Sequence, residues 1–110
     1  MDIKEYQSLA MTTLNPKLNK KEMLMNAVMG LCGESGEAID LVKKNLFQNH
    51  PFDVEAFKKE LGDIAWYLAE AATAIDISLE DILQGNIEKL KQRFPNGFNK
   101  EASIERKDEA

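Results

Sequence analysis

The stretch GLCGESGEAIDLVKK, residues 30–44, combines the apolar spacing of a helix with acids on its apolar side. When its residues are placed at about 100° per position, Glu34 falls within the apolar arc and Glu37 at the margin of that arc. Asp40 is predicted to point away. An acid on the apolar side of a helix needs a cause, because an unpaired buried carboxylate is costly.

A second stretch, KKELGDIAWYL at residues 58–68, repeats the arrangement. Glu60 falls inside the apolar arc of this helix and Asp63 at its margin. Two helices that carry the same pair of acids in the same relative place are predicted to face each other.

Helices account for the rest of the pattern. Pro16, Pro51 and Pro95 separate segments with helical periodicity, and no segment shows the alternation of a strand. Asp53 is predicted to cap the third helix. The predicted helices cover about residues 3–13, 20–47, 53–75 and 78–93. We therefore expect an all-α, four-helix-bundle-like domain over residues 1–98, followed by a charged, mobile tail over residues 99–110.

Composition narrows the function classes. The 110 residues carry a formal net charge of −5, which argues against binding nucleic acid through a basic face. Cys32 is the only cysteine, so no internal disulfide can form. No segment is apolar over the length of a bilayer span. These features predict a cytoplasmic protein with no membrane and no nucleic-acid partner.

Four acids on two facing helices would repel one another unless a cation lay between them. Mg²⁺ prefers carboxylate oxygens, and Mn²⁺ accepts the same ligands. A di-iron site is disfavoured because neither acid pair has a histidine at the required spacing. For a single pair, a solvated helix flank would be the better interpretation. Two pairs favour a metal site formed by Glu34, Glu37, Glu60 and Asp63.

The fourth helix adds an amide and two cations, Asn86, Lys89 and Arg93, in or beside its apolar arc. Taken alone, the two cations are ordinary surface residues whose stems cover apolar area. Beside an acidic metal site, they are also what a bound polyphosphate would need.

Together these residues form a recognisable pattern: Gly33-Glu34-x-x-Glu37, then Glu60-Leu61-x-Asp63, then Asn86-x-x-Lys89-Leu90-x-x-x-Arg93. It resembles the MazG-like family of all-α nucleoside triphosphate pyrophosphohydrolases, over roughly residues 6–98. The resemblance implies Mg²⁺-dependent hydrolysis between the α- and β-phosphates, with the four acids as metal ligands and catalytic residues. Glu37 or Glu34 is the better candidate for a general base. The resemblance and the residue types give these expected substrate contacts: Lys43, Lys44, Tyr67, Asn86, Lys89 and Arg93.

The alternative, from another class, is a non-catalytic helical oligomer or partner-binding module whose acids only solvate the surface. It predicts no effect of divalent ions on stability, whereas a bound ion would stabilise the folded enzyme.

The third helix also carries a second apolar face, formed by Trp66 with Gly62, Ala69 and Thr73. A chain of this length has few elements to cover that face, so an interface is expected there. The resemblance points the same way, to a homodimer or homotetramer.

Overall fold

The computed structural model describes residues 1–109, and every regular element in that range is a helix. The all-α prediction is thereby confirmed. The elements are α1 (Ile3–Met11), α2 (Lys20–Gln48), α3 (Val54–Ala74), α4 (Leu79–Arg93), α5 (Lys100–Glu105) and a short 3-10 helix (Lys107–Glu109). Among the described residues, no helix combines the length and the apolar character needed to cross a membrane.

Local capping fixes where the long helices begin. Asn19 and Glu22 form a capping box at the start of α2, in which the Asn19 side chain accepts from the Glu22 amide at 2.9 Å and the Glu22 side chain accepts from the Asn19 amide at 3.0 Å. Asp53 caps α3 as predicted, accepting from the Ala56 amide at 3.0 Å. Asn49 ends α2 in a left-handed conformation, with φ of 56°.

The chain divides into two compact units, Met1–Leu79 and a second unit that begins at Glu80. In the first unit, α2 and α3 form an antiparallel hairpin and α1 packs on α3. One cluster of buried residues lies where α1 packs on α3: Ala10, Ala69, Ala72 and Leu79, with Tyr6, Met11 and Trp66 packed against it.

Helix α1 packs on part of the face of α3 that was expected to form an interface between subunits. Ala69 is fully buried, and the Trp66 indole N–H donates to the Ala10 carbonyl at 2.9 Å. The Gln7 amide donates to the Thr73 hydroxyl at 3.0 Å. Helix α1 therefore satisfies part of this face within the chain, while Gly62 stays exposed, and the location of an interface on this face stays a prediction. Oligomerisation itself stays a prediction.

The second unit contains α4 from Glu80 onward, α5 and the 3-10 helix. Its best-formed contact is a bidentate ion pair in which Arg93 donates to both carboxylate oxygens of Asp108, at 2.7 and 2.8 Å. Residues 99–109, expected to be a mobile tail, therefore include helical segments and a partner for Arg93, while the mobility of this segment stays a prediction. Residue 110 lies outside the described residues.

Candidate metal centre

Residues of α2 and α3 pair in successive layers from the open end of the hairpin toward its loop. The Asn26 amide donates to both oxygens of Glu70, at 2.9 and 3.0 Å. One turn on, Gly30 lies under the ring of Tyr67. The next layers, Glu34 with Asp63 and Glu37 with Glu60, carry the four predicted acids. Each step forward along α2 is matched by an equal step back along α3, so the two acid pairs converge.

Three of these acids form a tight cluster. Carboxylate oxygens of Glu34, Glu37 and Glu60, one from each residue, all lie within 4.8 Å of one another. Oε2 of Glu34 and Oε2 of Glu60 are buried, and neither has a hydrogen-bond partner within residues 1–109. A buried carboxylate oxygen without a donor is costly. The donor set is all oxygen, and so it fits a hard divalent cation such as Mg²⁺.

The electrostatics of the cluster record the same crowding. A hydrogen bond with Glu60 is the main cause that raises the pKa of Glu37, and the negative charge of Glu60 adds to it. A hydrogen bond with Glu34 is the main cause that raises the pKa of Glu60, followed by desolvation. Both shifts have the sign expected for carboxylates crowded together, because nearby negative charge and desolvation disfavour the ionised form.

Asp63 faces a cavity of about 370 Å³ on one side of the cluster, together with Glu34, Thr13, Trp66 and Tyr67. The negative charge of Asp63 also acts on Tyr6 of α1, whose pKa is raised first by burial and second by this charge. This cavity therefore joins two of the acids to two aromatic rings and to the segment that follows α1.

A second cavity, of about 490 Å³, lies on the other side and is lined by Gly33, Gly36, Glu37, Asp40, Leu41 and Glu60. Asp40 was predicted to point away from the acids, but it shares this cavity with two of them. Its carboxylate pairs with Lys44 at 2.9 Å, and the hydrogen bond from Lys44 is the main cause that lowers the pKa of Asp40. Lys43 lies 4.0 Å from Asp40.

The predicted substrate contacts are distributed over both units. Tyr67 lines the cavity beside Glu34 and Asp63, and Lys44 is held near the second cavity by Asp40. Asn86, Lys89 and Arg93 belong to the second unit. Arg93 is engaged by Asp108. The roles of these residues in binding substrate stay predictions.

Sequence reasoning missed Thr13, Trp66 and Asp40 as residues of these cavities. It also missed Glu70, which is fully buried and whose pKa is raised by desolvation, with the Asn26 amide acting in the opposite direction. The one available signal for Glu70 was its position, a further two turns along α3 from Asp63.

Comparison with known proteins agrees with this geometry. The family model for the MazG nucleotide pyrophosphohydrolase domain matches residues 22–98. The chain belongs to the MazG family. It is also 39% identical over 83 residues to the Gene 37 protein of Mycobacterium phage L5, a match that covers 69% of this chain and 70% of that protein. No solved structure matched the chain. Both acid pairs of this MazG domain lie inside the matched range, whereas α1 precedes it.

Proposed function

We propose that this chain is a Mg²⁺-dependent nucleoside triphosphate pyrophosphohydrolase that releases a nucleoside monophosphate and pyrophosphate. Membership of the MazG family supports the reaction class. The observation that carries the proposal is the pair of buried oxygens, Glu34 Oε2 and Glu60 Oε2, which lack a partner among the described residues and lie in the three-acid cluster. A divalent cation is the partner that would satisfy both oxygens at once.

Glu34, Glu37 and Glu60 would hold the ion, and Asp63 would add a fourth carboxylate from the adjacent cavity. Mn²⁺ would serve in place of Mg²⁺, since it accepts the same oxygen ligands. When bound, the ion supplies Lewis acidity toward a phosphoryl oxygen and lowers the pKa of a water molecule.

The burial of the acids suggests how their roles divide. Glu34 and Glu60 are half-buried, whereas Glu37 is exposed. Solvent water can therefore approach Glu37, and we assign to Glu37 the removal of a proton from the attacking water. Glu34 and Glu60, whose oxygens are withdrawn from solvent, would act mainly as ligands.

The two cavities suggest how the substrate lies across the cluster. Tyr67 offers an aromatic surface for the nucleoside beside Glu34 and Asp63. On the other side, Lys44 would contact phosphate oxygens, since Asp40 keeps it beside the second cavity, and Lys43 is proposed for the same role by its place next to Lys44. Asn86, Lys89 and Arg93 are proposed as further phosphate or sugar contacts, by resemblance to the family.

A panel of ribo- and deoxyribonucleoside triphosphates, incubated with Mg²⁺ and scored for pyrophosphate release, tests the reaction. Alanine at any one of the four acids should abolish turnover while helical content is kept. Glu55→Gln is the matched control, because Glu55 is an exposed acid of α3 paired with Lys58 and outside the cluster. Wild-type turnover in each of the four alanine variants at saturating Mg²⁺ would contradict the site.

Glu37→Gln separates a ligand from a base. Since the amide keeps an oxygen but cannot accept the proton, this variant should retain the rise in melting temperature caused by Mg²⁺ and lose turnover. Loss of both the thermal shift and turnover would mean that Glu37 is mainly a ligand. Lys89→Ala should weaken nucleotide binding more than metal binding, and equal losses would indicate a structural role for Lys89.

A further inference from the structure

The indole of Trp66 connects α3 to the segment that follows α1. Its N–H donates to the Ala10 carbonyl and to the Thr13 hydroxyl, both at 2.9 Å. The Thr13 hydroxyl in turn donates to the Ala10 carbonyl, also at 2.9 Å. These three groups form a closed set of hydrogen bonds, so the position of Thr13 depends on the position of the indole.

The same indole also contacts Tyr67. The two rings meet edge to face, with centroids 5.1 Å apart and an interplanar angle of 88°. On its other side, the Tyr67 ring lies over Gly30, so close that a Cβ atom there would be 2.2 Å from Cε1 of the ring. Tyr67 is therefore held between Trp66 and the bare backbone of Gly30.

Thr13, Trp66 and Tyr67 all line the cavity that contains Glu34 and Asp63. Thr13 comes from the segment that follows α1, Glu34 from α2 and the other lining residues from α3, and the Trp66 hydrogen bonds join the first of these walls to the last. The separation of the walls is thus set by a residue outside the four-acid pattern.

We propose that Trp66 is a positioning residue for the nucleoside end of the substrate, because it fixes Thr13 and Tyr67 at the spacing that receives the sugar and base. The inference rests on the proposed function for the identity of the ligand. It assigns to the segment that follows α1 a part in substrate binding, although this segment lies before the range matched by the family model. The phosphate end and the metal ligands do not depend on this contact.

Two substitutions remove the hydrogen bonds, and the second of them leaves the packing of the indole unchanged. Trp66→Phe keeps an aromatic ring and removes the N–H, and Thr13→Val keeps the size of the side chain and removes the hydroxyl. Each removes two of the three hydrogen bonds and should raise KM for the nucleotide by roughly five- to tenfold or more, with kcat within about twofold of wild type. Thr13→Ser, which keeps the hydroxyl, should have a KM near the wild-type value.

Thr12→Val is the matched control. The Thr12 hydroxyl also donates to a carbonyl of α1, that of Leu9 at 2.6 Å, but Thr12 is exposed and does not line the cavity. Its KM should stay at the wild-type value. The rise in melting temperature caused by Mg²⁺ should be unchanged in all of these variants, which a general loss of structure would not allow.

A readout independent of turnover comes from Trp66 itself, since it is the only tryptophan of the chain. Its fluorescence should change on titration with an α,β-methylene nucleoside triphosphate and Mg²⁺, and the affinity measured in this way should fall in Thr13→Val but not in Thr12→Val. An absence of turnover in the wild-type protein would defeat the proposed function while this titration still decided the positioning role. Unchanged KM and unchanged analogue affinity in Thr13→Val would overturn the proposal. A rise in KM accompanied by loss of kcat and of the Mg²⁺ effect would also overturn it, because it would indicate a general loss of structure.

Discussion

Replacing Gly30 by alanine should disturb the candidate site through a single methyl group. Gly30 lies in the middle of α2, where a glycine has no turn to serve and where alanine would normally be stabilising. The ring of Tyr67 occupies the space that the new Cβ would need. The substitution therefore sets helix propensity against packing.

The distances decide which effect is larger. The Cβ of alanine would lie 2.2 Å from Cε1 of Tyr67 and 2.4 Å from Cδ1 and Cζ, whereas ordinary contacts begin near 3.4 Å, so the ring must retreat by about 1.2 Å. Overpacking of this kind costs about 1–3 kcal/mol. The propensity gain is up to about 1 kcal/mol. Gly30→Ala should therefore lower the free energy of unfolding by up to about 2 kcal/mol, the difference between the two effects.

Gly33→Ala is the matched control, because Gly33 lies one turn further along α2 and has nothing within 4 Å of its ideal Cβ position. The propensity gain is common to both variants and cancels in the comparison. Their free energies of unfolding should then differ by the overpacking cost alone, about 1–3 kcal/mol. For a domain of this size that corresponds to melting temperatures roughly 4–12 °C apart, with Gly30→Ala the lower.

Thermal unfolding followed by far-UV circular dichroism measures the stability difference. The turnover rates of the two variants measure its consequence for the site, since a misplacement of about 1 Å can cost on the order of a hundredfold in rate. Equal melting temperatures for the two variants would refute the reasoning, because they would show that the ring does not occupy the space above Gly30.

Further predictions concern metal, pH and assembly. Mg²⁺ at a hundred times its dissociation constant should raise the free energy of unfolding by about 2.7 kcal/mol, and calorimetry of Glu34→Ala, which has no ligand oxygen, should show no such rise. Burial raises the pKa of Glu70 in the folded state, so the stability linked to this group is present below its ordinary pKa of 4.5 and is lost as pH rises. In denaturant unfolding, the stability of Glu70→Gln relative to wild type should therefore increase from acid to neutral pH. Arg93 lowers the pKa of Asp108, so the pH dependence is the reverse for this group. The wild-type protein should be more stable than Asp108→Asn above pH 3.8, and this difference in stability should vanish as pH falls further. Light scattering should give a mass two or four times 12.4 kDa, and a mass of 12.4 kDa would contradict the oligomer. Phe47→Glu should lower the mass, since Phe47 is 80% exposed and lines an apolar groove between α2 and α3.

The sequence predicts the helices well because their signals are local. Helix α2 was expected over residues 20–47 and is observed at Lys20–Gln48, bounded by the Asn19 capping box and by Asn49 before Pro51. The Asp53 cap was visible as a residue type in the right place. Helix α1 is shorter than expected and ends at Met11, because the following Thr12 and Thr13 direct their hydroxyls to carbonyls of the last turn.

The approach of the acids was also predictable, for a different reason. Only a short connection separates α2 from α3, so the two helices must run antiparallel, and the position of each acid within its apolar arc then determines its neighbours. The structure brings Glu34, Glu37 and Glu60 together as that reasoning requires. Asp40 shows the limit of the approach, since a helical wheel gives the direction of a Cα–Cβ bond but not the reach of the side chain beyond it.

The aromatic side of the candidate site depends on information that no local pattern contains. Trp66 bonds a backbone carbonyl and a hydroxyl that lie 56 and 53 positions earlier in the chain, and a backbone carbonyl leaves no mark on the sequence. From the sequence, Trp66 was therefore expected to lie on an uncovered face, although the Ala10 carbonyl and the Thr13 hydroxyl accept hydrogen bonds from its N–H. The acids are set by the register of one hairpin, while the cavity beside them is set by the docking of another helix. Under the proposed function, changes in α1 and the residues that follow it should alter the choice of nucleoside without moving a carboxylate, because the two halves of the site are encoded in separate parts of the chain.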